Sequence, residues 1–168
     1  MSLLQKRQRR TALSALIHTL HAILASIWLG SVVFTTIVVS PTLKAMKWTE
    51  PERVAARSAI GKQFARVGSA NLALLALFAL LDGLIAGFGA ALYIEYALLV
   101  VLFGLVAAHG AYFGRRLVGL AEAEKRAGNE EEARALTEKR RDLQRLSLQV
   151  SWADILISLV VAALAINA

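Results

Sequence analysis

Four long stretches of the chain carry almost no charge, and the charged residues crowd into the segments between them. The first apolar run extends from about Thr11 to Ser40 and is closed by Pro41. The second runs from about Gly68 to Ala91, interrupted only by Asn71 and Asp82. The third covers about Tyr93 to Gly114, with Glu95 near its start and His109 near its end, and the fourth about Leu146 to Ala165. About 20 residues at ~1.5 Å rise cross the ~30 Å hydrocarbon layer of a bilayer. The pattern therefore predicts an all-α fold: an integral membrane four-helix bundle forming a single membrane domain over residues 1–168. Its spans are TM1 (about 12–40), TM2 (about 68–91), TM3 (about 93–116) and TM4 (about 146–166). A basic start (Lys6, Arg7, Arg9, Arg10) before an apolar run has the outline of a signal peptide. This run is too long for such a leader and contains His18 and His21, so it reads as a span.

The polar connections have their own signals. Within residues 42–67, Thr49-Glu50-Pro51-Glu52 has the form of a capping box with a proline in the first turn. Val54, Ile60, Phe64 and Val67 then recur at roughly helical spacing, with Arg53, Arg57, Lys62 and Arg66 between them. That predicts either an interfacial amphipathic helix leading into TM2 or a short linker helix. A tight turn is expected near Ala90–Leu92. Residues 117–145 predict a charged helical hairpin between TM3 and TM4, projecting ~15 Å at 1.5 Å per residue. Glu122 with Arg126 and Glu130 with Arg134 are pairs four apart in the favourable order. Gly128 is expected to close one helix in the left-handed conformation and Asn129 to cap the next. Glu130, Glu131 and Glu132 then sit at that helix's positive end.

Composition agrees: 57% of residues are hydrophobic and mean hydropathy is +0.57, against ~45–50% apolar in soluble domains. The net charge of +7 would suit nucleic acid, but the basic residues flank the spans, where they meet anionic head groups. The expected partner is the lipid bilayer and not nucleic acid. Fifteen basic residues lie in the two long loops, six in 42–67 and nine in 115–145, against four on the other side. The positive-inside rule then places the protein in the cell membrane with long loops cytoplasmic and termini outside. Tyr93 and Tyr96 fall at one interface, and Trp48, Tyr112 and Trp152 near the other. Cysteine is absent, which removes disulfides, thiolate metal sites and thiol nucleophiles.

Five ionisable residues fall within spans: His18, His21, Asp82, His109 and Asp154. Each costs at least ~2.5–3.5 kcal/mol at the bilayer centre, so such groups face the bundle interior and often mark function. Counting ~1.5 Å per residue from the span ends puts His18 and His21 ~9–14 Å below the N-terminal face and Asp82 ~13 Å below it. Glu95 is a little shallower. One cluster of His18, His21, Asp82 and Glu95 is expected. From the opposite face His109 lies ~9 Å deep and Asp154 ~12 Å deep, which predicts a second cluster near the level of Trp28 and Gly30. The plain reading is that each histidine bonds an acid or a carbonyl and locks helix packing. The functional readings are a metal site (His18, His21, Asp82), a haem b held by one of His18, His21 and His109, and a proton path. Ser26–Gly30, Gly83–Gly87 and Gly110–Gly114 match the small-xxx-small spacing of close helix contacts. No phosphate loop, serine triad or zinc-protease motif is present, so no enzymatic chemistry is implied.

The stretch from His18 and His21 through Trp28-Leu29-Gly30 to Phe34, followed by Pro41-Thr42-Leu43, resembles the start of the copper resistance protein D-like (CopD-like) membrane proteins. Gln63-Phe64-Ala65-Arg66 resembles their entry to the second span. The likeness covers roughly residues 15–116. It implies a four-helix fold and metal (copper) handling or transport, with His18, His21 and Asp82 as ligands or relay. Where that family's second span usually ends in Thr-Gly, this chain has Asp82-Gly83. It also offers no Cys and no membrane Met for copper(I). Related four-helix proteins bind haem, but the chain lacks their further motif after TM1; the second reading is a haem b-binding membrane electron-transfer protein that uses one of these histidines. A third reading is an accessory subunit that docks membrane protein partners through the 117–145 hairpin.

Overall fold

The computed structural model describes residues 3–167. The side chains of Lys6, Arg7, Arg9 and Arg10 lie outside the described residues. Helix α1 runs Leu3–Val33, widens into a π-helical stretch at Phe34–Val39 and returns to a short α2 at Ser40–Ala45. Pro41 was expected to close TM1, yet the helix continues to Ala45. The proline occupies the first turn of α2, where its missing N–H costs little, directly after the widened turn.

Helix α3 is one rod, Glu50–Ala86. Its start is set by Thr49, whose N–H and hydroxyl both donate to Glu52 Oε2 at 2.7 Å. At ~1.5 Å per residue its 37 residues far exceed the bilayer core. Residues 50–67 are therefore the projecting part of the TM2 helix itself, and no separate amphipathic helix lies along the interface. Nothing after Pro51 interrupts the helical sequence, which is why the two expected elements merge.

The rod ends at Gly87, whose φ of 104° only glycine adopts readily. A Cβ on Gly83 would meet Leu92 Cδ2 and Phe88 Cε1 at 2.6 Å, so the chain folds back tightly here. The turn falls at residues 87–89, about three residues before the expected position. Helix α4 (Ala90–Ala107) passes through a second π-helical stretch, Ala108–Gly114, into α5 (Arg115–Arg126). A three-residue turn leads to α6, Glu130–Asn167. Asn129 caps α6 by accepting the Glu132 N–H at 2.8 Å, as expected. Gly128 is not left-handed; its N–H donates to Glu132 Oε2 at 3.1 Å instead.

The hairpin is latched by Glu124, which accepts from Thr137 Oγ1 at 2.6 Å and from buried Arg140 Nε at 2.8 Å. Outside the bilayer, the Thr137 hydroxyl and then Arg140 hold the Glu124 carboxyl below the usual glutamate range. The Glu122–Arg126 and Glu130–Arg134 pairs form at 3.9 and 3.1 Å, but on exposed surface such pairs add little.

Helix α1 packs on α3 and α6, and α4 packs on the same two from the other side. The shared core holds Ala25, Trp28, Leu72, Leu75, Leu99, Leu102 and Val161. Only 17–28% of each span's apolar window is buried. The remaining hydrophobic surface faces outward, an arrangement suited to lipid and not to water. The protein is a multi-pass four-helix membrane bundle.

Candidate functional site

A single turn of α1 carries His18 and His21 on one face, three residues apart. Asp82 sits one turn before the end of α3, and Glu95 in the second turn of α4. The tight 87–89 connection brings these two ends level with each other. The four side chains meet inside the bundle. With its proton on Nε2, His21 donates to Glu95 Oε1 at 2.6 Å, and both side chains are 0% exposed. Asp82 Oδ2 lies 4.0 Å from His21 Nδ1 and 3.6 Å from His18 Nδ1.

These contacts order the groups as Glu95, His21, Asp82, His18, from a sealed interior outward. Asp82 is nearly buried, whereas the His18 side chain is 35% exposed. His18 lines a groove of about 510 Å³ between α1 and the end of α6, bordered by Ile23, Ile27 and Ile166. Three buried polar atoms among the described residues have no hydrogen-bond partner, and two of them, His21 Nδ1 and Glu95 Oε2, belong to this cluster; the third is the hydroxyl of Tyr96, next to Glu95. A buried polar atom left unpaired costs free energy and calls for an explanation such as water or a mobile proton.

The second expected cluster forms differently. His109 lies in the π-helical stretch of TM3, a feature frequent at functional sites. Its Nδ1 is 3.0 Å from Leu105 O and its Nε2 3.2 Å from Ser151 Oγ. Asp154 is buried and accepts from Ser158 Oγ at 3.2 Å; Ser158 Oγ in turn accepts from Trp28 Nε1 at 2.8 Å. His109 and Asp154 share a level without a hydrogen bond between them. Ser151, Ser158 and the polar role of Trp28 were missed by sequence reasoning. The only available signal was the three- and four-residue spacing of Ser151, Asp154 and Ser158 along one face of α6.

An axial haem ligand needs an imidazole nitrogen free to face a flat cleft. His21 is sealed and bonded through Nε2 to Glu95, and both nitrogens of His109 are engaged, so neither fits. For a metal, both Nδ1 atoms face the same Asp82 oxygen, but among the described residues no three His, Asp or Glu side chains form a metal-holding group. Of the small-xxx-small motifs, Gly83–Gly87 shapes the α3–α4 turn, whereas the Cβ positions of Gly30 and Gly110 face open space.

Fold and site together define a polytopic α-helical membrane protein with an acid–imidazole cluster buried between its spans. The chain belongs to the DUF4149 family, a domain of unknown function, which matches residues 23–126. That range includes Trp28, Asp82, Glu95 and His109, while His18, His21 and α6 lie outside it. No curated protein and no solved structure matches the chain.

Proposed function

We propose that this is a proton-handling membrane protein, in which a proton passes between groove-facing His18 and buried Glu95 by way of Asp82 and His21. One observation carries the reading: a fully buried imidazole bonded to a carboxylate at 2.6 Å on one nitrogen and unpartnered on the other, which faces a second acid. Imidazole is suited to such a role because it accepts a proton on one nitrogen while releasing one from the other. Ionisable groups this deep are costly, and intramembrane His and Asp/Glu chains recur in proton relays. In this reading the charged overhang of α3, α5 and α6 faces the cytoplasm, in line with the fifteen basic residues of segments 42–67 and 115–145.

A second reading follows the CopD-like resemblance: His18, His21 and Asp82 take up copper as cargo. It is supported by the two imidazole nitrogens that approach Asp82 Oδ2 at 3.6 and 4.0 Å, and it requires the three groups to draw together. The accessory-subunit reading rests on the latched hairpin as a docking arm. The test is infrared difference spectroscopy of the purified protein in lipid across a pH step, with Glu95→Gln beside it. A protonated-carboxyl band that responds to pH and disappears in the variant supports the relay. No responsive carboxyl band would sink it. Saturable copper(II) binding lost in His18→Ala would instead establish the cargo reading.

A further inference from the structure

A third buried acid, Asp154, lies on the far side of the core from the first cluster, and the relay described above does not use it. Along α6, Ser151, Asp154 and Ser158 form a polar stripe turned toward the bundle interior. At one end His109 Nε2 meets Ser151 Oγ at 3.2 Å, and His109 is half-buried, six residues before Arg115, where the charged end of the bundle begins. At the other, Ser158 and Trp28 are sealed (0% and 1% exposed) and point this stripe toward the first cluster. His21 and Trp28 are seven residues apart on α1, hence on one face and ~10 Å apart along the axis. That interval is closed by Ala25, Leu72, Leu75, Leu99, Leu102 and Val161, all nearly or wholly buried.

We infer that Asp154 is a second proton-carrying site, so that two polar half-sites, one nearer each end of the bundle, flank an apolar barrier. The inference rests on the proton reading of the first cluster. The ligand is the proton itself. A proton on the His109 imidazolium leaves its N–H bond and forms an O–H bond on the Asp154 carboxylate through a bridging water, since the Ser151 hydroxyl itself donates to the Ser147 carbonyl at 3.0 Å. The imidazole is left neutral and the acid neutral. Onward passage requires the apolar layer to admit water or to shift, because no titratable side chain belongs to it. Ser158 bridges the acid to the indole N–H of Trp28, which places Trp28 at the barrier's edge.

The test uses the full chain in liposomes holding a trapped pH dye, with a potassium gradient and valinomycin to balance charge. The wild-type protein is expected to carry protons faster than empty liposomes. Asp154→Asn, whose amide oxygen still accepts from Ser158, is expected to fall to the empty-liposome leak, and Asp154→Glu to recover part of the rate. Wild-type flux that persists in Asp154→Asn while Glu95→Gln abolishes it would overturn the second site and leave the first standing. Wild-type flux no faster than the leak would overturn both. Should the variants fail to fold, a membrane-permeant carbodiimide applied to wild-type protein decides the matter by peptide mass. Labelling of Asp154 supports the inference, and labelling confined to Glu95 or Asp82 refutes it.

Discussion

The His21–Glu95 contact invites a double-mutant cycle, because its magnitude separates two physical states of the same geometry. Both side chains are 0% exposed and the bond is 2.6 Å long. If the pair is ionised, imidazolium against carboxylate, removing either partner strands a charge in a low-dielectric interior, at about 3–5 kcal/mol. If both groups are neutral, the contact is an interhelical hydrogen bond, which in membranes averages about 0.6 kcal/mol and reaches about 1.7. The cycle compares wild type, His21→Ala, Glu95→Ala and the double variant by reversible unfolding in lipid–detergent mixtures. Each single variant opens a similar cavity, and that term cancels in the coupling energy. The proton relay proposed above requires the ionised pair, so a coupling above about 2 kcal/mol is expected. A coupling at or below about 0.6 kcal/mol would mean an ordinary neutral bond. It would also refute the idea that His21 and Glu95 exchange a proton as a coupled acid–base pair.

Further expectations concern the turn, the core and the hairpin. Gly87→Ala should destabilise by about 1–3 kcal/mol, because φ 104° with ψ 155° is open to glycine almost alone; Gly89→Ala, at φ −92°, should change the melting temperature little, and equal effects would refute the strain argument. Trp28→Phe should cost about 1–3 kcal/mol by leaving the buried Ser158 oxygen without its donor, and the added change Ser158→Ala should cost more, because it removes the hydroxyl that donates to Asp154; a double variant as stable as wild type in the same thermal assay would refute this. For Glu124 the folded-state value is lowered by Thr137 and Arg140 from the ordinary 4.5. Its stabilisation is therefore complete above pH 4.5 and is lost as pH falls through the lower folded value. Hydrogen exchange in α5 and the first half of α6 should rise over that acid range, and Glu124→Gln should remove the pH dependence; an unchanged profile would show that the latch does not hold the hairpin.

What could be read from the chain divides along a simple geometric line. Depth was legible. Helical rise is constant, the α3–α4 connection is only three residues long, and so counting from the span ends placed His18, His21, Asp82 and Glu95 on one level. The structure brings those four together. Rotation about each helix axis was not legible, because an apolar span is hydrophobic on every side and has no amphipathic stripe to orient it. His109 and Asp154 accordingly share a level as expected, yet His109 turns to Ser151 and Asp154 to Ser158. Serine carries almost no signal in such a sequence. Ser26 and Ser31, as well as Thr19, Thr35 and Thr42, bond their own helix four residues back, and only its four-residue spacing from Asp154 separates Ser158 from them in the sequence.

The overhang was misread for a related reason. Charge marks where a chain leaves the bilayer, so residues 42–67 looked like a separate element on the interface. Charge does not mark where a helix ends. Breaking α3 at the membrane boundary would take a proline or a left-handed glycine near Val67, and the sequence has neither; the glycines there, Gly61 and Gly68, are helical. The rod therefore carries on, and with α5 and α6 it forms a charged extension of the bundle in line with the spans. This continuity has a mechanical consequence. The latch between Glu124 and Arg140 joins α5 and α6, the outward continuations of the helices that carry His109 and Asp154. A displacement of the hairpin is transmitted along α6 to Asp154 by unbroken helix, but along α4 only through the widened turn around His109. The π-helical stretch is the more compliant of the two connections, so motion of the hairpin would be felt first as a change in how His109 meets Ser151.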